Sequence, residues 1–187
     1  MALPSQPQFA ADAPTTSVGA SAAFLPSPRP NMRAGDGNWP NLLQEATCEV
    51  FSTMLGCDAT MAPPGTDVAP AEFTATVGLA GSLRGLCILY CSSEAANFIA
   101  SKLLGTGQSK TTDDTWDAFG EICNMVAGNF KHKLVGISEH CMLSCPTVIS
   151  GRDYRCRPSG AVESTSLTMS FGGHLLGVVL QVHKQAP

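Results

Sequence analysis

Within the stretch DDTWDAFGEICNMVAGNF (residues 113–130), three polar side chains follow one another at spacings of four and three: Asp117, Glu121 and Asn124. A carboxylate can pair with a cation on a partner, and an amide can both donate to and accept from one water molecule. Neither group is a good nucleophile or a general base near neutrality. The chemistry open to them is orientation of water for attack on something already activated. The chain offers no obvious Ser-His-Asp constellation, phosphate-binding glycine loop or HExxH helix to compete with this chemistry. GLAGSLRG (78–85) lacks the Lys-Ser/Thr ending and following helix of a P-loop, and reads as a hairpin turn.

The spacing acquires meaning on a helix. With Asp117 at zero and about 100° per residue, Glu121 falls at about 40°, Asn124 at about 340° and Gly128 at about 20°. These four residues line one narrow stripe. Ala118, Phe119, Ile122, Met125, Val126 and Phe130 occupy the opposite side, the face expected to anchor the helix on a sheet. Gly120 and Ala127 border the stripe on one flank, and Lys131 with His132 closes its C-terminal end. A solvated polar face is the commonest origin of such a wheel. The glycines fit that origin poorly, because Gly costs about 0.8–1 kcal/mol relative to Ala inside a helix. Two glycines and Ala127 instead predict a low-relief surface that another protein can approach closely.

The elements that must carry this helix are legible around it. Apolar residues Leu42, Leu43, Ala46, Val50, Phe51 and Met54 recur at helical spacing over 41–55, before Gly56. Residues 72–81 and 83–92 read as two strands joined at Gly81, and 92–105 as a helix with serines at its start and a glycine at its end. The longest helix is predicted from Asp113 to about Val135. Asp113 and Asp114 lie in its first turn, and Lys131, His132 and Lys133 in its last, which suits the macrodipole. Runs at 141–150, 162–171 and 175–183 predict a three-strand meander with a Gly-Gly turn at 172–173. The expected fold class is α+β, with long helices packed on one face of a largely antiparallel sheet.

Composition bounds the function. With 187 residues, 44% of them hydrophobic and 14% charged, the chain suits one globular domain, residues 37–187. Residues 1–36, which include PSPRP, predict a flexible Pro/Ala/Ser-rich leader. A formal net charge of -4 argues against nucleic-acid binding. No apolar run approaches the roughly 18 residues a membrane helix needs. MALPSQPQFAADAP shows neither a basic n-region nor an apolar h-region, so the expected location is the cytoplasm. The eight cysteines are then expected as reduced, apolar-like thiols, with Cys87/Cys91 and Cys141/Cys145 each sharing one face of a strand. No metal site is expected, since no C-x-x-C occurs and no histidine stands at zinc-finger spacing.

The pattern Asp117-x-x-x-Glu121-x-x-Asn124-x-x-x-Gly128-Asn129 resembles the signature of the CheC/CheX/FliY family of bacterial chemotaxis phosphatases. GLCILYCSSEAANFIASKLLG (85–105) also resembles the strand–helix unit that precedes this signature in CheX-type members, and the likeness spans 41–183. It implies hydrolysis of the phospho-aspartate of a CheY-like response-regulator receiver. Glu121 would engage a receiver lysine, and Asn124 would enter the receiver site to position the attacking water. Asp117 and Gly128 would shape the helix, and Gly120 would give room for docking. The Mg²⁺ of such a reaction is held by the receiver, so no cofactor is expected in this chain. Glu45 is followed three later by Cys48 and Glu49 by Ser52, so the first helix lacks a second E-x-x-N. One motif per chain resembles the CheX type, whose members pair as homodimers through their sheets. The alternative function is a non-catalytic CheX-like module that binds a receiver or a flagellar switch component.

Overall fold

A computed structural model of the chain describes residues 38–69, 71–107, 112–134, 136, 138–151, 154 and 162–183. The leader predicted over 1–36 lies outside the described residues, as do Val135 and Cys156.

The first helix, α1 (Trp39–Met54), begins with Pro40 in its opening turn, where a missing N–H goes unnoticed. It buries Leu43, Ala46, Thr47, Val50 and Phe51, and the Thr47 hydroxyl donates to the Leu43 carbonyl at 2.8 Å. A short strand, β1 (Ala59–Met61), leads to the hairpin of β2 (Phe73–Gly81) and β3 (Gly85–Cys91). In α2 (Ser93–Leu104) the Ser92 hydroxyl accepts from the Ala95 N–H, and Gly105 ends the helix in the left-handed conformation.

The motif helix, α3 (Asp113–His132), starts at Thr112, whose N–H donates to the Thr115 hydroxyl. That buried hydroxyl donates in turn to Asn97 Oδ1 of α2, which fixes the start of α3 against its neighbour. A 3₁₀ turn (Ser138–His140) then leads into β4 (Cys141–Leu143), β5 (Thr147–Ser150), β6 (Val162–Phe171) and β7 (His174–His183).

Among the described residues the strands form one seven-stranded antiparallel sheet in the order β1-β6-β7-β3-β2-β4, with β5 also paired to β2. The α+β class expected from the sequence is therefore the one found. The three-strand meander is not. Of the three runs, only those at 162–171 and 175–183 join as a hairpin, β6–β7; β7 also pairs with β3, while the run at 141–150 pairs with β2 at the far side of the sheet. That run is two strands rather than one, broken at residues 144–146, where Pro146 brings no N–H to a ladder.

In β3 buried and half-buried residues alternate, and its buried set sits beside that of β2 and β7: Phe73 and Leu176 flank Cys91, Ala75 and Val178 flank Leu89. The helices cover this face. Phe51, Phe119, Phe130 and Phe171 are all essentially fully buried, each contributing about 1.5–3 kcal/mol by leaving water.

Gly81 fixes where β4 begins. It pairs with Cys141, has φ +103°, and is followed by Ser82, whose N–H donates to the His140 carbonyl at 3.0 Å. An added Cβ would collide with that carbonyl oxygen. Gly81→Ala is expected to cost about 2–4 kcal/mol, through combined backbone strain and overlap. Thermal unfolding should show a fall in Tm on the order of 10 °C, and an unchanged Tm would contradict this account of the β2–β4 junction.

Candidate functional site

The apolar side of α3 decides what remains for chemistry. Phe119, Ile122, Cys123, Val126, Ala127 and Phe130 are all fully buried against the sheet and the other helices. What reaches solvent is a strip that carries Asp117 and Glu121, both exposed, and Asn124 and Gly128, both half-buried. Lys131 is half-buried and His132 exposed at its C-terminal end. The four stripe residues therefore share one accessible face, in the order the wheel predicts.

The flank beside the stripe differs from the expectation. Gly120 and Ala127 are buried and form no open border. A Cβ on Gly120 would lie 3.1 Å from Val148 Cγ2 and 3.5 Å from Pro146 Cβ and Cγ. The glycine thus leaves room for Val148 of β5 and for Pro146 of the β4–β5 connector against the helix. Gly128 is different again: its nearest neighbour would be Leu143 Cδ1 at 3.9 Å, an ordinary contact that leaves the position open.

Where the connector meets the helix, a shallow cleft of about 470 Å³ opens, lined by Trp116, Asp117, Gly120, Glu121, Pro146 and Val148. Trp116 is half-buried and packs edge-on against Phe73, with ring centroids 5.5 Å apart, so its ring is held at the mouth of the core. Asn124 lies one turn further along, outside the lining. Sequence reasoning missed Trp116, Pro146 and Val148 as neighbours of the stripe. Trp116 sits beside Asp117 in the chain and carried a signal, whereas Pro146 of the connector and Val148 of β5 meet the helix only through tertiary pairing.

The far end of the motif is tied to α1. Asn129 Nδ2 donates to Glu49 Oε2 at 3.0 Å, and Lys133 Nζ donates to Glu49 Oε1 at 2.6 Å, with Glu45 Oε2 at 3.9 Å. Glu49 is thereby engaged within the chain. Its lysine and asparagine partners hold its carboxyl below the ordinary glutamate range. By contrast, among the described residues neither Asp117 nor Glu121 has an ion-pair partner.

Cys123, inside the motif, is fully buried. The adjacent Cys87 thiol and burial together push its own thiol up, and its Sγ lies 3.5 Å from the Ala75 carbonyl, so it stays protonated and packs. Cys87 and Cys91 are likewise buried on one face of β3. Cys141 and Cys145 do not share a strand face: Cys141 is buried in β4, while Cys145 is exposed beyond it, in the break before β5. Among the described residues no three His, Cys, Asp or Glu side chains converge as a metal-binding group, and no helix is long and apolar enough to cross a membrane.

Three long helices on an antiparallel sheet, with a carboxylate and an amide one turn apart on an accessible strip, define the class of this domain. The family model of the chemotaxis phosphatase CheX matches residues 73–170, just over half of the chain, and the chain belongs to that family. It is 29% identical over 131 residues to the CheY-P phosphatase CheX of Thermotoga maritima, covering 68% of this chain and 84% of that protein. The chemotaxis protein CheX of Vibrio vulnificus superposes with a TM-score of 0.67 at 20% identity, over 79% of this chain and 97% of that one. A chain of the CheX–CheY–BeF3–Mg²⁺ complex of Borrelia burgdorferi gives a TM-score of 0.61 at 22% identity, over 79% and 99%.

The Glu49 tie makes a pH-dependent prediction. Because the folded carboxyl titrates below its unfolded value, its stabilising effect is complete above the ordinary glutamate pKa and is lost as pH falls through the folded value. Glu49→Gln should lower Tm at neutral pH, and the difference from wild type should vanish in acid. A Tm deficit that persists unchanged into acid would show that the charge is not what holds α1 to α3.

Proposed function

We propose that this protein hydrolyses the phospho-aspartate of a CheY-like response-regulator receiver, using Glu121 to dock and Asn124 to position the attacking water. Membership of the CheX family supports this reading, as does the likeness to a relative named for CheY-P phosphatase activity. The observation that carries it is the pairing of an unengaged carboxylate and an amide on one accessible face of α3.

The substrate is an acyl phosphate, activated by its carboxylate leaving group. The water oxygen bonds to phosphorus as the bond from phosphorus to the aspartate oxygen breaks. The electron pair leaves with the aspartate carboxylate, and the water's proton passes to phosphate or solvent. Asn124 needs no proton transfer of its own: its carbonyl oxygen accepts from the water and holds it in line, which lowers the entropic part of the barrier. Glu121, which has no ion-pair partner among the described residues, pairs with a receiver lysine and sets the angle at which Asn124 enters. The receiver's own Mg²⁺ offsets charge on the phosphoryl oxygens.

The same reading implies a cytoplasmic protein and, by family resemblance, a homodimer formed through the sheets. Exposed Met142 and Ile149 on β4 and β5 offer an apolar contact for it. Analytical ultracentrifugation of the full chain should return a dimer mass; a monomer at micromolar concentration would remove the homodimer from this reading.

Asn124→Ala should abolish accelerated decay of the phosphorylated receiver, a loss on the order of a hundredfold or more, with the fold intact by circular dichroism. Equal decay with wild type and variant would sink the assignment. Glu121→Lys should raise the receiver concentration needed for half-maximal rate, and unaltered binding would count against the ion-pair role.

A further inference from the structure

The cleft beside Glu121 has a composition that its proposed docking role does not account for. One wall is apolar, made by the half-buried Trp116 ring, exposed Pro146 and half-buried Val148. Asp117 and Glu121 stand on the helix side, four residues apart and therefore neighbours on the surface. No lining residue is a cation, and among the described residues no ion pair is made by either carboxylate. Glu121 alone would suffice for one receiver lysine, which leaves Asp117 with an unmatched charge facing a recess whose other wall is apolar.

From this arrangement, and resting on the phosphatase reading above, we infer that the cleft receives an arginine side chain of the receiver, its stem against Pro146 and Val148 and its guanidinium between the Trp116 ring and Asp117. The site is continuous with the proposed docking contact at Glu121, which also lines it. A guanidinium suits it better than an ammonium. It is planar, stacks on aromatic faces, presents a fork to carboxylates and is the more weakly hydrated of the two. The cleft is thus a specificity site, selecting receivers that carry arginine at the matching position, while Glu121 and Asn124 serve any receiver able to dock. Asp117, expected from the family likeness only to shape the helix, is exposed and makes no hydrogen bond or ion pair among the described residues.

The test uses a panel of CheY-like receivers phosphorylated with acetyl phosphate in Mg²⁺, taking the receiver whose decay the wild-type protein accelerates most. Asp117→Asn keeps shape and removes charge; it should raise KM about tenfold with kcat unchanged and flatten the dependence of KM on salt. Asp117→Lys should raise KM further, and Asp117→Glu should restore it. Single Arg→Ala and Lys→Ala replacements on the receiver surface, combined with Asp117→Asn in double-mutant cycles, then identify the occupant. Coupling to one arginine supports the inference; coupling to a lysine, or to no residue, overturns it. An unchanged KM in Asp117→Asn, or a fall in kcat instead, overturns it while Asn124→Ala still abolishes turnover. Failure of the wild-type protein to accelerate any receiver overturns the phosphatase reading itself, and this inference with it.

Discussion

Helix α3 buries one broad face, from Thr115 to Phe130, and the closeness of its seat governs everything its remaining strip can present. Phe119, Ile122, Val126 and Phe130 anchor it on the sheet, and the missing Cβ at Gly120 leaves room for Pro146 of the β4–β5 connector and Val148 of β5 to pack against it. A larger residue at 120 would push connector and helix apart, because interiors packed at crystal-like density transmit such displacements. The cost of a helical glycine is thus offset by contact with the protein's own chain. The apolar wall beside Glu121 exists because of that contact.

The two ends of the motif helix are held by different means. At its start, Thr115 links the first turn to Asn97 of α2 through a buried hydroxyl, and at its end Asn129 and Lys133 grip Glu49 of α1. Among the described residues, the exposed or half-buried Asp117, Glu121 and Asn124 between them make no such polar ties and are left for a partner. Glu49 illustrates the contrast. It is a glutamate on an exposed helix face like Glu121, yet its carboxylate is engaged within the chain, while Glu121 has no ion-pair partner among the described residues. A lysine arriving from outside would have to displace Lys133 to use it.

Much of the fold was legible because helix periodicity and capping are local. The predicted limits of α1 and α2 lie within a residue or two of those found, and the start of α3 at Asp113 coincides. The stripe was legible for the same reason, since a wheel needs only the rise and turn of one helix. Strand partnership was not. β1 has three residues, too few to show alternation, and nothing in residues 141–150 reveals that they pair with β2 rather than with β6. That misplacement carried through to Gly120: with the connector's position unknown, a buried glycine read as an open one. The Glu49 network escaped for a related reason. Glu45 and Glu49 on α1, and Asn129 and Lys133 at the end of α3, each stand four residues apart, but which turns face each other is set by packing, which no single segment encodes.

The central claim is that the Glu121–Asn124 pair turns a receiver over rather than merely binding it. Release of inorganic phosphate, followed with this protein at about one-hundredth of the concentration of a phosphorylated CheY-like receiver, tests this most directly. The account predicts many phosphates released per protein molecule, at a rate above the receiver's own decay. Decay at the receiver's intrinsic rate, with the receiver nonetheless bound, would contradict it and make the domain a binding module.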